Sequence, residues 1–568
     1  MAGWGLLRRH SPTKPVHSKS RKQLDTSRSW VRRGLRLEQF EERILLSIGT
    51  WTPIGPAVIE GGQVTNVADY GTTEPYLNEV SGAVQAVVAH PTDPNVLYIG
   101  AANGGVWRTN NAMDSNPTWL PLTDKMPSLS IGALALDPAD PDTLVAGIGR
   151  WSAYGREGGV LSGIVRSTDG GDTWVSLDGK GMLTGKNCAG IAVRGNTVLV
   201  AGNNTESGLL TDTGIFRSTD GGVTFTQISN SNGLVTGLPG GMTYDLVGDP
   251  TNSKVFYTGV IGADTYGGLN GIYRSTDTGA TWTKVSTATL DGYLHTGGAT
   301  VTHNLRMAVG TAGQLYVGIV NQMADALDND QLAAVFRGAY DTQLRKWNWS
   351  AMDVPMTFDG GAYQGIQPHH KEVRPGDPLG NLPGGQGAIH FSIVADPKNE
   401  NIVYVGGDVQ RVFGDESSIG AQGFTGRLFM GDCRKAAGQQ WVHLTDLNSK
   451  GPAGGGTAHG SGPHADSRDM AFDAAGRLIE VDDGGVYVRT IPRNGQNEPV
   501  IRDGDWYSIM GNLSVTEYHD IAYDTISNVV IGGAQDTGTS EQKSSTSSTF
   551  RQVSMGDGGD VLVDDVSL

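Results

Sequence analysis

Cysteine is nearly absent from this 568-residue sequence, which contains only Cys188 and Cys433. Two thiols so far apart form no disulfide framework, and they lack the spacing of zinc ligands. No apolar run approaches the roughly 18 residues that span a bilayer as a helix. Basic residues are outnumbered by acidic ones: the chain has 42 Lys and Arg and 59 Asp and Glu, for a net charge of −17. These shortages argue against a transmembrane segment and against nucleic acid as a partner.

Glycine is abundant, with 83 residues, or about twice the usual share of roughly 7%. There is no Gly-x-y period, which excludes collagen. Hydrophobic residues make up 38% of the chain, which is enough to build a packed core.

The charge is unevenly distributed, because residues 1–47 carry 11 Lys and Arg against 4 Asp and Glu. This segment lacks the apolar stretch of a secretory signal, and its composition predicts a basic, mostly disordered tail. It ends in LEQFEERILLS, residues 37–47. That run resembles the short LEPR-LLS type motif near the N-terminus of many surface and secreted proteins of planctomycete bacteria. The resemblance implies export, to an extracellular or cell-surface location.

Three nine-residue segments are nearly identical, at residues 166–174, 217–225 and 274–282. Each begins Arg-Ser-Thr-Asp and ends in Thr followed by Trp or Phe, and each lies between two short apolar runs. A strand, an Asp-Gly type turn and a second strand indicate a β-hairpin. The aspartates and closing aromatics are Asp169, Asp220, Asp277, Trp174, Phe225 and Trp282.

This pattern resembles the Asp-box, or BNR, repeat, and the resemblance implies an all-β propeller in which each repeat belongs to one four-stranded blade. Equivalent aspartates in several blades cannot all contact one bound substrate. We therefore predict that the aspartates accept bonds from the turns and that the aromatic rings pack between sheets.

A second recurring element supports the propeller. An apolar strand runs into a turn, often Asp-Pro, and a second strand follows and usually ends in glycine. Eight such units span residues 81–555. We predict one large propeller of about eight or nine blades over residues 48–568, with two smaller propellers as the alternative. A ninth unit is expected to begin at residues 560–564, and this incomplete unit suggests a fragment of a longer protein. At the other end, residues 51–54 are expected to form a strand that joins the last blade.

Residues 464–560 resemble bacterial BNR-repeat proteins described as sialidase-like, glycosyl hydrolase-like or sortilin-like. The runs that carry this resemblance are HADSRD at 464–469, DDGGVY at 482–487, GAQDTG at 533–538 and GDGG at 556–559. A true sialidase is not expected, because Arg-Thr-Ile-Pro at 489–492 departs from the Arg-Ile-Pro motif and lies too late in the chain.

Residues 103–108, NGGVWR, resemble the Asp-x-Gly-Gly-x-Tyr-Arg segment of xyloglucanase-type propeller hydrolases. In that family the aspartate belongs to the catalytic carboxylate pair. Here the matching residue is Asn103, and an amide cannot act as a base. Asp408 and Asp483 follow comparable strand ends, so we name them as the candidate catalytic pair of a glycoside hydrolase, which needs two carboxylates about 5–10 Å apart.

Four more residues are candidates for ligand binding, namely His464, Asp466, Asp482 and Asp536. His464, Asp466 and Asp469, with His459 nearby and His390 one blade earlier, could form a metal-binding cluster, but their spacing matches no closed zinc motif. No cofactor is identified, and a structural Ca²⁺ is the one cofactor considered. Aromatic residues predicted on long loops are candidate sugar platforms: Trp151, Tyr154, Tyr266, Tyr293, Trp347, Trp349 and Tyr363.

The favoured function is an exported, carbohydrate-active or carbohydrate-binding propeller whose partner is a polysaccharide or glycoconjugate. The alternative is a non-catalytic, sortilin-like surface module that binds a protein or peptide. Paired carboxylates in a groove would favour the first, and an apolar or strand-edge surface would favour the second.

Overall fold

The computed structural model describes residues 53–230, 232–263, 268–297, 300–323, 329–355, 385–410, 425–446 and 455–564. These residues form eight mainly antiparallel sheets, each built on four consecutive strands, which confirms the predicted all-β propeller architecture. The predicted tail, residues 1–47, lies outside the described residues. Within the described ranges, no helix has the length and apolar character needed to span a bilayer.

Two short strands, β1 (Val58–Glu60) and β2 (Ala68–Asp69), precede the first sheet. Sheet 1 contains β3 (Val84–Ala89), β4 (Leu97–Ala101), β5 (Gly105–Thr109) and β6 (Trp119–Pro121), and sheet 2 contains β7 (Ile131–Asp137), β8 (Asp140–Ile148), β9 (Ile164–Ser167) and β10 (Val175–Leu177). Sheet 3 contains β11 (Lys186–Arg194), β12 (Thr197–Thr205), β13 (Gly214–Ser218) and β14 (Thr226–Gln227). Sheet 4 contains β15 (Leu246–Gly248), β16 (Phe256–Val260), β17 (Gly271–Ser275) and β18 (Thr283–Lys284).

Sheet 5 contains β19 (Thr300–Val309), β20 (Leu315–Met323), β21 (Asn329–Asp341) and β22 (Lys346–Met352), with β23 (Gly385–Gln386) beside β21. Sheet 6 contains β24 (Ser392–Ala395), β25 (Ile402–Gln410), β26 (Thr425–Asp432) and β27 (Trp441–His443), and sheet 7 contains β28 (Asp469–Phe472), β29 (Leu478–Val481), β30 (Val486–Arg489) and β31 (Trp506–Ser508). Sheet 8 contains β32 (Tyr518–Asp524), β33 (Val529–Ala534), β34 (Gly538–Gln542) and β35 (Thr549–Ser554). The described helical segments include one short α-helix, α1 (Ala288–Asp291), and the 3₁₀ turns Leu210–Asp212 and Ile501–Asp503.

The eight predicted strand–turn–strand units are the first two strands of the eight sheets. In seven sheets the first strand is the innermost one and packs against the first strand of the next sheet, from β3 through β7, β11, β15, β19 and β24 to β28. The series closes because β28 packs against β3. Sheets 1–7 therefore form a closed ring, and the eighth sheet takes no part in that closure.

The N-terminal strands attach to the last two sheets, as is common in propellers. β1 pairs in parallel with β35 of sheet 8, and β2 pairs in parallel with β31 of sheet 7. The predicted closing strand at residues 51–54 is replaced by Val58–Glu60, since Pro53 and Ile54 lie in no strand and residues 51–52 are outside the described ranges. The described residues 560–564 form no ninth strand.

The Asp-box turns have one repeated hydrogen-bond pattern. In the first turn the Asp169 carboxylate accepts bonds from the Ser167 hydroxyl (2.7 Å) and from the N–H (2.9 Å) and hydroxyl (2.6 Å) of Thr173. These bonds hold the pKa of Asp169 at about 2. Trp174 closes the turn and is buried among residues of sheets 1 and 2. The same pattern recurs at Asp220 and Asp277.

Candidate functional site

The structure brings three of the predicted residues together around His390. Asp408 lies in β25, Asp466 precedes β28, and Asp483 occupies the turn between β29 and β30. His390 lies just before β24, so the cluster joins sheets 6 and 7. All four residues are buried, and His390 and Asp483 are completely so.

The His390 ring lies between two carboxylates. Its Nδ1 is 3.3 Å from Asp466 Oδ1, and its Nε2 is 3.1 Å from Asp483 Oδ2. Burial alone would lower the pKa of His390, but the two carboxylates raise it to about 10. In the protein without another cation, the imidazole is therefore positively charged at neutral pH.

Each predicted catalytic carboxylate is also held by an arginine. Asp408 Oδ1 lies 3.1 Å from Arg427, and burial raises the pKa of Asp408 to about 7 against the effect of that arginine. Asp483 is paired with Arg468; burial opposes ionisation, but Arg468 and His390 hold the pKa of Asp483 well below its ordinary value. Asp408 and Asp483 therefore lie beneath the surface, in contact with protein groups rather than facing a groove.

Arg468 connects this cluster to the start of the ring. Its Nη1 donates to the side chain of Gln85 in β3 (2.7 Å) and to the carbonyl of Trp151 after β8 (2.6 Å). Trp151, a predicted sugar platform, is buried at this position. One guanidinium thus links sheet 7 to sheets 1 and 2.

Asp482 stabilises its own turn. Its Oδ1 accepts bonds of 2.8 Å from the N–H groups of both Gly484 and Gly485. Burial and the neighbouring carboxylate of Glu480 raise the pKa of Asp482 well above its ordinary value, and burial raises that of Glu480 to about 8. Burial thus disfavours the ionised form of both carboxyl groups.

Asp536 and His464 join the eighth sheet to the cluster. Asp536 lies in the turn between β33 and β34, and its carbonyl is 3.2 Å from Nε2 of His464. Burial, followed by the charges of Asp483 and Asp466, raises the pKa of Asp536 well above its ordinary value. The candidate ligand residues His464, Asp466 and Asp536 are thus close together, whereas the Asp-box aspartates lie apart in turns at the far ends of their sheets.

Two residues of the predicted metal-binding loop lie elsewhere. Asp469 bonds to the backbone of Val87 in β3, and His459 pairs with Asp505 at 2.7 Å. Asp469 also lines a cavity of about 320 Å³ between the inner strands, together with Asp245 and Arg306. The lining of that cavity comes from the innermost strands of sheets 4 to 7 and the residues next to them.

An open cleft separates the loops of sheets 1 and 2 from the eighth sheet. Its volume is about 360 Å³. The lining combines aromatic, acidic and amide side chains, and it includes Asn103, Ser152, Tyr154, Glu157, Glu517, Tyr518, His519 and Gln535. Asn103 and Tyr154 were recognised from the sequence. Glu157, Glu517 and His519 belong to no motif, so the sequence offered no signal for them.

Glu517 is held in this cleft by residues of the ring. One carboxylate oxygen accepts a 2.5 Å bond from Nδ2 of Asn103, and the other accepts a 3.1 Å bond from the Ser152 hydroxyl. Across the opening, the rings of Tyr154 and His519 meet edge to face at 4.7 Å. The lining of the cleft therefore combines two acidic residues, two amide side chains and an aromatic pair.

Comparison with known proteins gives partial matches. No protein-family model matches the chain. A xyloglucanase from Paenibacillus sp. is 32% identical over 250 residues, which cover 38% of this chain and 22% of that protein. An oligoxyloglucan-reducing end-specific xyloglucanase from Emericella nidulans is 30% identical over 218 residues, covering 36% of this chain and 24% of that protein. The matched regions thus span about a quarter of these relatives.

Solved structures share the propeller fold at low sequence identity. A GH74 enzyme from Niastella koreensis has a TM-score of 0.50 at 19% identity, covering 85% of this chain and 61% of that chain. A GH74 xyloglucanase from Xanthomonas campestris has a TM-score of 0.50 at 17% identity, covering 84% of this chain and 60% of that chain. These likenesses support the architecture.

Proposed function

We propose that this chain is a glycoside hydrolase-like propeller that binds a polysaccharide in the cleft between the ring and the eighth sheet. The observation that carries the proposal is the placement of Glu517 against Asn103, beside the aromatic pair of Tyr154 and His519. An exported location, as the motif at residues 37–47 predicts, is part of the proposal.

The chemistry of the cleft suits a sugar chain. Aromatic rings offer apolar faces on which the C–H faces of a pyranose can pack, while carboxylates and amides bond to hydroxyl groups. Glu517 and Asn103 supply such polar groups, and Tyr154 is 59% exposed, so its ring is accessible. An open groove admits an internal segment of a long chain rather than only its end.

The relatives indicate which polysaccharide to test first. Several are xyloglucanases. Asn103 begins the segment that resembles the Asp-x-Gly-Gly-x-Tyr-Arg run of such enzymes, and it lines this same cleft. We therefore propose a xyloglucan or a related β-glucan as the ligand. None of the relatives described above is named as sortilin-like, so they give no support to the peptide-binding alternative.

Hydrolysis is the second candidate function. Because Asp408 and Asp483 are buried in arginine pairs, we propose that they hold the ring together rather than acting as acid and base. Glu157 and Glu517 both line the cleft and both contact Asn103, Glu157 through its carbonyl at 3.3 Å. Two carboxylates in one cleft are what glycoside cleavage requires.

Binding should be measured with xyloglucan by affinity electrophoresis or calorimetry, for the wild type and Tyr154→Ala. We expect the substitution to weaken binding about tenfold, which corresponds to about 1.4 kcal/mol. Tyr340→Ala is the matched control, since Tyr340 is an exposed aromatic on sheet 5, away from the cleft. Equal losses in both variants, or no retention of the wild type by any β-glucan, would refute the proposal.

Release of reducing sugar should be followed in the same samples. Release that is abolished by Glu517→Gln while binding persists would establish hydrolysis by this cleft. Binding without release would leave the chain as a glycan-binding module. Capture of a peptide, with no affinity for glycans, would favour the sortilin-like alternative.

A further inference from the structure

The buried cluster around His390 has the composition of a metal site. The potential ligand atoms of His390, Asp466 and Asp483 all lie within 4.8 Å of one another. Each of the three residues is buried, and they come from three separate segments of the chain. The carboxyl group of Asp536 lies beside these three residues, but outside the set of donor atoms that lie within 4.8 Å of one another.

Several polar atoms of this cluster have no hydrogen-bond partner. They are both ring nitrogens of His390, Oδ1 of Asp466, Oδ2 of Asp483 and Oδ2 of Asp536. The ring nitrogens are 3.3 and 3.1 Å from carboxylate oxygens, but neither contact has hydrogen-bond geometry. Four of these atoms belong to the two His390–carboxylate ion pairs, which balance charge but supply no hydrogen bond. A buried polar atom without a hydrogen bond costs about 1–3 kcal/mol, so this concentration of such atoms points to a ligand.

The remaining oxygen of Asp483 is used to orient the carboxylate, because it is paired with Arg468. Such outer contacts are typical of metal-binding carboxylates, because they fix the direction of the free oxygen.

The charges of the cluster are compatible with a bound cation. Asp466 and Asp483 are two carboxylates, and Arg468 compensates one of them. Asp408 and Arg427 form a separate ion pair beside the cluster. A divalent ion bound to a neutral His390 would take the place of the proton that otherwise makes the ring positive.

We propose that His390, Asp466 and Asp483 bind a divalent first-row transition-metal ion, Mn²⁺ or Zn²⁺. One imidazole with two carboxylates suits these ions, whereas Ca²⁺ prefers an all-oxygen shell. His390 belongs to sheet 6 of the ring, and Asp466 and Asp483 belong to sheet 7. The ion would therefore tie these two neighbouring sheets together.

The competing explanation is that protons alone balance the charges, with a doubly protonated His390 and a neutral Asp536. The two explanations differ in metal content. The full chain should be purified without a polyhistidine tag and without chelator, and its metal content measured by mass spectrometry. We expect about one Mn²⁺ or Zn²⁺ per chain.

Thermal unfolding then provides a second readout. The protein is dialysed against EDTA, the chelator is removed, and Mn²⁺, Zn²⁺, Ca²⁺ or Mg²⁺ is added. An ion that binds the folded state only raises the melting temperature, by about 3 °C or more at saturation. We expect this rise with Mn²⁺ or Zn²⁺ and a much smaller one with Ca²⁺ and Mg²⁺.

Asp466→Asn and His390→Gln should each lower the metal content at least about fivefold and abolish the temperature rise. Asn suits position 466 because Asp466 has a positive φ of 74°, a region that Asn tolerates. His459→Ala is the control, since it breaks a His–Asp pair outside the cluster. It should leave the metal content unchanged.

A wild-type chain that contains no stoichiometric metal and gains no stability from any of the four ions would overturn the proposal. Equal metal loss in His459→Ala would do the same. If neither cluster variant folds, the metal content and temperature rise of the wild type still decide the question. None of these readouts involves sugar binding, so the inference and the proposed function can fail separately.

Discussion

The backbone N–H of Val87 donates a 3.0 Å hydrogen bond to Oδ2 of Asp469, across the junction between sheet 1 and sheet 7. The two residues are 382 positions apart in the sequence. An equivalent bond, from the N–H of Met307 to Asp245, joins sheets 4 and 5 at 2.6 Å. A carboxylate on an inner strand, or directly before it, thus bonds to the inner strand of the next sheet, and at Asp469 this bond closes the ring.

Asp469→Ala should destabilise the protein by about 1–3 kcal/mol, because it leaves a buried N–H of Val87 without an acceptor. The free energy of unfolding in urea measures this effect. Asp341→Ala, at the end of β21, should cost much less, because the N–H groups of Gln343 and Leu344 that donate to Asp341 are exposed and can bond to water instead. A loss at Asp469 no larger than at Asp341 would show that the bond does not contribute to ring closure.

Trp174→Ala should cost about 3–5 kcal/mol, since it removes a large ring buried between sheets 1 and 2 and leaves a cavity. Thermal unfolding or urea titration measures the loss. Val175→Ala is the neighbouring control, because Val175 is 58% exposed and should have little effect. Similar losses at both positions would contradict the packing role of the Asp-box aromatic.

Glu79 should make stability depend on pH. Burial, then the charge of Asp69, raises its pKa from 4.5 to about 7 in the folded protein. The folded chain therefore holds a proton that the unfolded chain releases. Its contribution is complete below pH 4.5 and is lost as the pH rises through about 7, at most about 3 kcal/mol.

Glu79→Gln should remove that dependence, since the amide remains neutral and can keep the 2.8 Å contact with Ser508. Unfolding free energies at a pH of about 5 and of about 8 test this, with Glu74→Gln as the exposed control. If Glu79→Gln loses as much stability as the wild type between those values, another group is responsible.

Asn103→Asp should place a second carboxylate beside Glu517. It removes the Nδ2 donor and sets two like charges in contact, which raises the pKa of one of them. We expect a loss of about 1–2 kcal/mol at neutral pH that largely disappears near pH 4, where the pair shares a proton. Urea unfolding at both pH values measures it; a loss independent of pH would show that the carboxylates do not interact.

The cleft and the buried cluster differ in how far the sequence could anticipate them. Asn103 was recognised because it stands where the xyloglucanase-type segment has an aspartate. Its partner Glu517 lies 414 positions away and belongs to no motif. Asp408 and Asp483 were named from comparable strand ends, and they lie in the neighbouring sheets 6 and 7. Their burial against Arg427 and Arg468 could not be foreseen, because exposure depends on which loops cover a turn.

The repeated sequence by itself determined the eight strand–turn–strand units and their turns, although it also predicted a ninth unit that the described residues do not form. Each depends on neighbouring residues, such as the Asp169 carboxylate bonding to Thr173 four positions later. Only the tertiary structure decided that the ring closes with seven sheets, at β28 and β3, and that His390, Asp466 and Asp536 meet. Closure depends on the angle at which successive sheets pack, and that angle is the sum of many contacts between residues distant in the chain.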